Sequence, residues 1–108
     1  MTIPKPPNSL KPRGPGRGFW KEIHEQFAVE DAHHLRLLEE ACGCLDTISQ
    51  AQKEIEASGA FYTDRFSQPR AHPAFDLIKS NRTLFARLIR EMQLDTQPAE
   101  KPRQPGLY

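Results

Sequence analysis

Apolar residues recur at helical spacing in three stretches of the chain. The clearest runs from His72 to Leu94, where Leu84, Leu77, Leu88, Met92, Ala74, Phe85, Ile78, Ile89 and Phe75 form one continuous arc over about half of a helix circumference. A face that wide must be buried. Pro73 suits the first helical position, because its fixed φ fits a helix start and its missing N–H would have no intrahelical partner. Asp76 follows in the first turn, at the positive end of the dipole. From Val29 to Ser58 a second set, Leu35, Leu37, Leu38, Ala41, Cys42, Leu45, Ile48, Ala51 and Ile55, repeats at the same spacing for about eight turns. Glu30 and Asp31 open this stretch and Gly59 follows it as a C′ residue. Gly18 to Phe27 is shorter, with Phe19, Trp20, Ile23 and Phe27 on one stripe, and predicts a small helix packed on the longer pair. Trp20 also stands beside a basic arm, where an indole can stack on a base, but its place on an apolar stripe favours packing.

The segments between and around these stretches lack helical periodicity. In the link from Phe61 to Ala71, Phe61, Tyr62 and Thr63 favour extended backbone and Asp64 favours a turn, so it reads as a short β-hairpin or an ordered loop. Met1 to Arg17 holds five prolines and two glycines and predicts a structureless basic arm. Residues 95–108 hold three more prolines and predict a disordered tail, with an apolar tip at Gly106, Leu107 and Tyr108 suited to docking on a partner protein. The expected fold is therefore mainly all-α, a short N-terminal helix and a long helical hairpin with the β-hairpin or loop at its tip. Its boundaries are 1–17 for the arm, 18–94 for a helical oligomerisation and DNA-engaging domain, and 95–108 for the tail. A chain of 108 residues makes at most one small domain, whose core is marginal unless copies associate. No apolar run is long enough to span a membrane and no signal-peptide h-region opens the chain, so it reads as soluble and intracellular with no membrane partner.

The net charge of +1 conceals a segregation. Residues 1–18 carry four basic and no acidic side chains, 19–59 three basic and nine acidic, and 60–94 six basic and three acidic. A polyanion would meet the first and third segments and avoid the second. Glu39, Glu40, Asp46 and Glu54 line the outer face of the long helix, while Lys79, Arg87 and Arg90, with Arg82 at the edge of the arc, line that of the last helix. The two faces complement each other within one subunit or between neighbours. Exposed pairs add only tenths of a kcal/mol, so they select partners more than they stabilise.

Other combinations that look like chemistry fail on geometry. Gly14 and Gly16 form a G-x-G, yet no strand precedes it and no G-K-[ST] follows, as phosphate binding would need. Cys42 and Cys44 lie two apart on a helix and point about 200° apart, so both thiols reach neither one zinc nor each other and read as small buried hydrophobes. His33 and His34 diverge in the same way. There is no nucleophile beside a base and no carboxylate cluster for two-metal cleavage. The chain therefore reads as a non-enzyme with no catalytic residues, no metal and no cofactor.

The order of features then becomes informative. A W-x-x-I helix, an acidic long helix ending in A-S-G, the link F-Y-T-D-R-F-S-Q-P-R, the dipeptide His72-Pro73 and the helix L-I-K-S-N-R-T-L-F-A-R-L-I-R-E-M-Q-L together resemble the small terminase subunits of tailed double-stranded DNA phages. The resemblance covers roughly 18–94. Where such proteins often continue into P-x-x-R, this chain has Gln97-Pro98-Ala99-Glu100-Lys101. The resemblance implies a ring-shaped homo-oligomer in the cytoplasm of an infected bacterial host. It would engage double-stranded viral DNA and recruit or stimulate a large terminase subunit that holds the ATPase and nuclease. Carried onto this chain, the DNA-binding candidates are Lys5, Lys11, Arg13, Arg17, Arg65, Arg70, Lys79, Arg82, Arg87 and Arg90. The core and oligomer-interface candidates are Trp20, Ile23, Leu38, Leu45, Ile48, Ile55, Leu77, Leu84, Phe85, Leu88 and Ile89. Two other readings stand beside this one: a small dimeric DNA-binding regulator that reads a major groove, and a helical protein adaptor that binds no nucleic acid.

Overall fold

A computed structural model describes residues 3–94. Its elements are α1 (Pro15–Gln26), α2 (Ala32–Ser58), β1 (Phe61–Thr63), β2 (Pro69–Ala71) and α3 (Ala74–Met92). The expectation for the tail at 95–108 lies outside the described residues. The mainly helical fold follows the apolar spacing, and the link between the long helices is the β-hairpin, with β1 and β2 antiparallel and Tyr62 opposite Arg70. Among the described residues no helix is long and apolar enough to cross a membrane.

The helix ends have local causes. α2 stops at Gly59, whose φ of +90° strains any L side chain and whose N–H donates to the Ile55 carbonyl at 2.7 Å. α3 starts at Ala74, so Pro73 stands just before the helix rather than at its first position. His72 supplies the acceptors there, its Nδ1 taking the Ala74 N–H and its carbonyl oxygen the Phe75 N–H, both at 3.0 Å. The imidazole thus does what a serine or aspartate side chain does at other helix starts.

α2 is the centre of the packing. On one side its Leu38 and Cys42 bury with Leu10, Trp20, Ile23, Val29 and Met92. On another, Ile48 and Ala51 meet Ala74 and Ile78, while Ala41 and Cys44 meet Leu88. The rings of Phe19 and Phe85, 5.3 Å apart and edge to face, tie α1 to α3. Of the expected core set, Trp20, Ile23, Leu38, Ile48 and Leu88 are buried and Leu45, Ile55, Phe85 and Ile89 half-buried. Leu77 and Leu84 depart from the expected buried arc: they are 46 % and 43 % exposed, and Phe75 is 41 % exposed. An apolar arc of half a circumference is wider than one neighbouring helix covers, so its edges overhang the contact with α2.

The arm is the main correction. Expected to be structureless, the chain from residue 3 to residue 14 packs along α2, with Leu10 only 2 % exposed. Trp20 Nε1 donates to the Pro4 carbonyl at 2.9 Å and Ser9 Oγ to Glu39 Oε2 at 2.8 Å. Asp46, expected on the outer face, is 6 % exposed, and its two carboxylate oxygens accept the Lys11 and Gly16 backbone N–H groups, each at 2.9 Å. Three causes combine. Prolines leave less entropy to lose on ordering, Leu10 anchors the arm in the core, and a buried carboxylate requires donors.

Gly16 is required for this approach, since a Cβ there would sit 2.5 Å from the Cys42 carbonyl oxygen, and at Gly14 one would sit 2.7 Å from Asp46 Oδ1. The G-x-G does bring one backbone N–H, that of Gly16, to an anion, but the anion is the chain's own carboxylate. α1 consequently begins at Pro15 rather than Gly18, because Gly14 has no side chain to cap it and Asp46 caps it from α2.

Asp46→Ala removes both acceptors while sparing the apolar contacts. Hydrogen bonds to charged groups carry about 1.5–3 kcal/mol each, but removing the carboxylate also removes the cost of burying its charge, so the variant should lose roughly 2–4 kcal/mol and expose the arm to protease before global unfolding. The urea midpoint and the order of proteolytic cuts check this.

Candidate nucleic-acid interface

The cations expected to face DNA separate into three groups. Asp46 and Ile48 are two residues apart on α2 and point about 200° apart. The arm therefore lies on one side of α2 and α3 on another, with the β-hairpin beyond its C-terminal end. Each group has its own local chemistry.

On the arm, Arg17 is committed to structure. Its Nε and Nη2 donate to the Leu10 carbonyl at 3.2 and 3.0 Å, closing the chain where it turns into α1. Lys11 extends along α2 and its Nζ donates to Gln50 Oε1 at 2.8 Å. Lys5 and Arg13 are exposed, and their side chains make no hydrogen bond or ion pair with other described residues. The basic arm thus splits into two cations that hold it in place and two that face solvent.

The hairpin is organised by Asp64. Its carboxylate accepts the backbone N–H groups of Phe66 at 2.8 Å and Gln68 at 3.0 Å, and Arg70 Nε at 2.9 Å. The Gln68 N–H, then Arg70 and the Phe66 N–H, hold the carboxyl below its ordinary value. Arg70 is therefore engaged. The Arg65 guanidinium lies 5.0 Å from the centre of the Phe66 ring, and Phe61, Tyr62 and Phe66 are exposed around it.

α3 carries the free cations. Lys79, Arg87 and Arg90 are exposed on its outward side and Arg82 on its flank, and none forms an ion pair or side-chain hydrogen bond among the described residues. Asp76 shares that side near the helix start, with Thr83 between the cations. The four positive side chains span about three turns, a length that can follow neighbouring phosphates. Positioning comes from the buried face beneath, where Ala74, Ile78, Leu88 and Met92 lock the rotation of the helix.

Both cysteines lie inside the fold. Cys42 and Cys44 are free and buried, pointing into different clusters as their spacing requires. Burial pushes the Cys42 thiol up to about 12, with Asp46 and Glu39 adding repulsion, and burial raises Cys44 as well. Among the described residues no three histidine, cysteine or carboxylate side chains converge on a metal-sized site. Sequence reasoning missed Leu10, Asp46 and His72. The signals were a lone leucine among prolines, glycines flanking Pro15, and a histidine two residues before a helix.

Comparison with known proteins yields no matching family model, no matching curated protein and no matching solved structure.

The raised Cys42 thiol carries a linkage prediction. Its folded value lies above the ordinary 9.0, so the folded state keeps the proton, and this contribution is complete below pH 9 and lost as pH climbs towards about 12. Replacing Cys42 by alanine should flatten that part of the stability–pH curve. Urea midpoints of both chains from pH 8 to pH 11 measure it, and parallel curves would contradict the assignment.

Proposed function

We propose that this chain is a small terminase subunit, a non-catalytic protein of a phage DNA-packaging motor. In this reading it assembles into a homo-oligomeric ring, engages double-stranded DNA and recruits or stimulates a large subunit bearing ATPase and nuclease activity. The observation that carries the reading is the two-sided character of α3. Its outward cations have no acidic partner among the described residues, while the apolar edges at Phe75, Leu77 and Leu84 remain exposed beside them. A helix left with unsatisfied apolar edges needs protein, and one left with unpaired cations suits a polyanion. Both needs meet in an assembly that holds DNA.

The order of sequence words from Trp20 to Leu94 supports the same reading, and the host cytoplasm would be its location. A regulator that reads a major groove through α3 fits less well. Its recognition helix would follow a short helix and a tight turn, whereas α3 follows a β-hairpin. A pure protein adaptor leaves the four α3 cations without a role.

Light scattering of the chain alone and with duplex DNA tests the proposal, and a monomer that ignores DNA would end it. The cations should sort by their engagement. Arg87→Ala and Arg90→Ala should each reduce the slope of log K against log salt by about 0.9 and weaken binding equally across sequences. Arg17→Ala and Arg70→Ala should lower stability and leave that slope unchanged.

A further inference from the structure

Gly43 sits in the middle of α2, where glycine is the poorest helix former after proline, and no described residue presses on it. Gly14 and Gly16 are needed because a neighbour presses on them, but nothing lies within 4 Å of a Cβ built at Gly43. The open space belongs to a groove of about 310 Å³ between the arm, α2 and α3, with Lys11, Gly43, Thr47, Gln50, Glu54 and Leu77 in its walls. Lys11 is held by Gln50, and the Asp46 carboxylate beneath is filled by backbone N–H groups. Glu54 is exposed and makes no ion pair among the described residues.

The opposite edge of α3 carries the complement. Phe75, Lys79 and Arg82, spaced four and three apart, share one stripe, turned about 200° around the helix from Leu77. Phe75 is half exposed and the two cations are unpaired among the described residues. As whole elements, α2 holds five acidic and two basic residues and α3 four basic and two acidic, yet no ion pair joins them inside the subunit. Arg36 pairs with Glu39 and Glu40 within α2 and backbone N–H groups cap Asp46, which leaves Glu54 and Glu56 on α2 and the four α3 cations without an ion pair among the described residues.

We propose that the groove over Gly43 is one half of a contact between copies of this chain, and that the Phe75–Lys79–Arg82 stripe of the next copy is the other half. The aromatic ring lies against Leu77 and the bare helix at Gly43, and the cations meet Glu54. Groove and stripe lie on different sides of one subunit, so the contact is head-to-tail and closes into a ring if the rotation allows. This rests on the self-assembling reading above and adds the surface through which it occurs.

The test uses the full chain at micromolar concentration without DNA, by light scattering and circular dichroism. Gly43→Arg adds bulk and a repelling charge to the groove while improving helix propensity, so helicity should be retained and the mass should fall to that of one chain. Glu54→Arg should weaken association at least tenfold, and adding Arg82→Glu to it should recover the lost association. An assembled wild type whose mass survives Gly43→Arg, or a charge swap that rescues nothing, overturns the groove but not the assembly. A wild type that is itself monomeric overturns the assembly reading and the groove with it.

Discussion

A single buried carboxylate sets the conditions for the N-terminal third of this molecule. Asp46 lies within α2, away from water, and a charge in that position is tolerated only with donors on its oxygens. Two backbone N–H groups from the arm and from the first turn of α1 supply them. The same contact resolves three separate difficulties: a helix whose cap residue has no side chain, an arm too rich in proline to form regular structure, and a buried acid on a helix that must pack. Leu10 and Trp20 can then seal the apolar side of α2, which would otherwise remain half open.

With that side closed, α2 works as a spine with different loads on each side. The arm and α1 cover the side of Leu38 and Cys42, and α3 covers the side of Ile48 and Ala51. Between them runs a groove through Gly43, Thr47 and Glu54, braced by Lys11 at Gln50, that the described residues leave open. α3 likewise buries only the centre of its apolar arc. Two short strands, each paired along only one edge, hold the far end together through one aspartate, with their aromatic side chains outward. The unsatisfied surface is therefore not scattered but gathered on the outer flanks of the long helices and at their hairpin tip.

The arrangement divides the cations by role more sharply than their number implies. Arg17 and Arg70 stabilise turns through a carbonyl and a carboxylate, and Lys11 braces the arm against α2. The α3 cations do none of this, which leaves their charge available at the surface. A basic residue whose donors are occupied inside the fold contributes to the field around the protein but offers less to a phosphate than one with free donors.

The sequence by itself determined the helices and their faces. The three- and four-residue spacing of large apolar side chains is a local signal, and the burial of Ile78, Leu88 and Met92 follows from it directly. The divergence of Cys42 from Cys44 was equally legible, because it depends only on helix pitch. Tertiary structure alone decided which acid is buried, whether the arm is ordered and how much of each apolar arc is covered. Asp46 reads like its neighbours Glu39, Glu40 and Glu54 until the arm and the start of α1, each offering an N–H, are laid over it. The prolines that argue against secondary structure in that arm equally reduce the entropy lost in ordering it. Periodicity reports which way a side chain points along its own helix. What waits at the other end of that direction is set by segments tens of residues away.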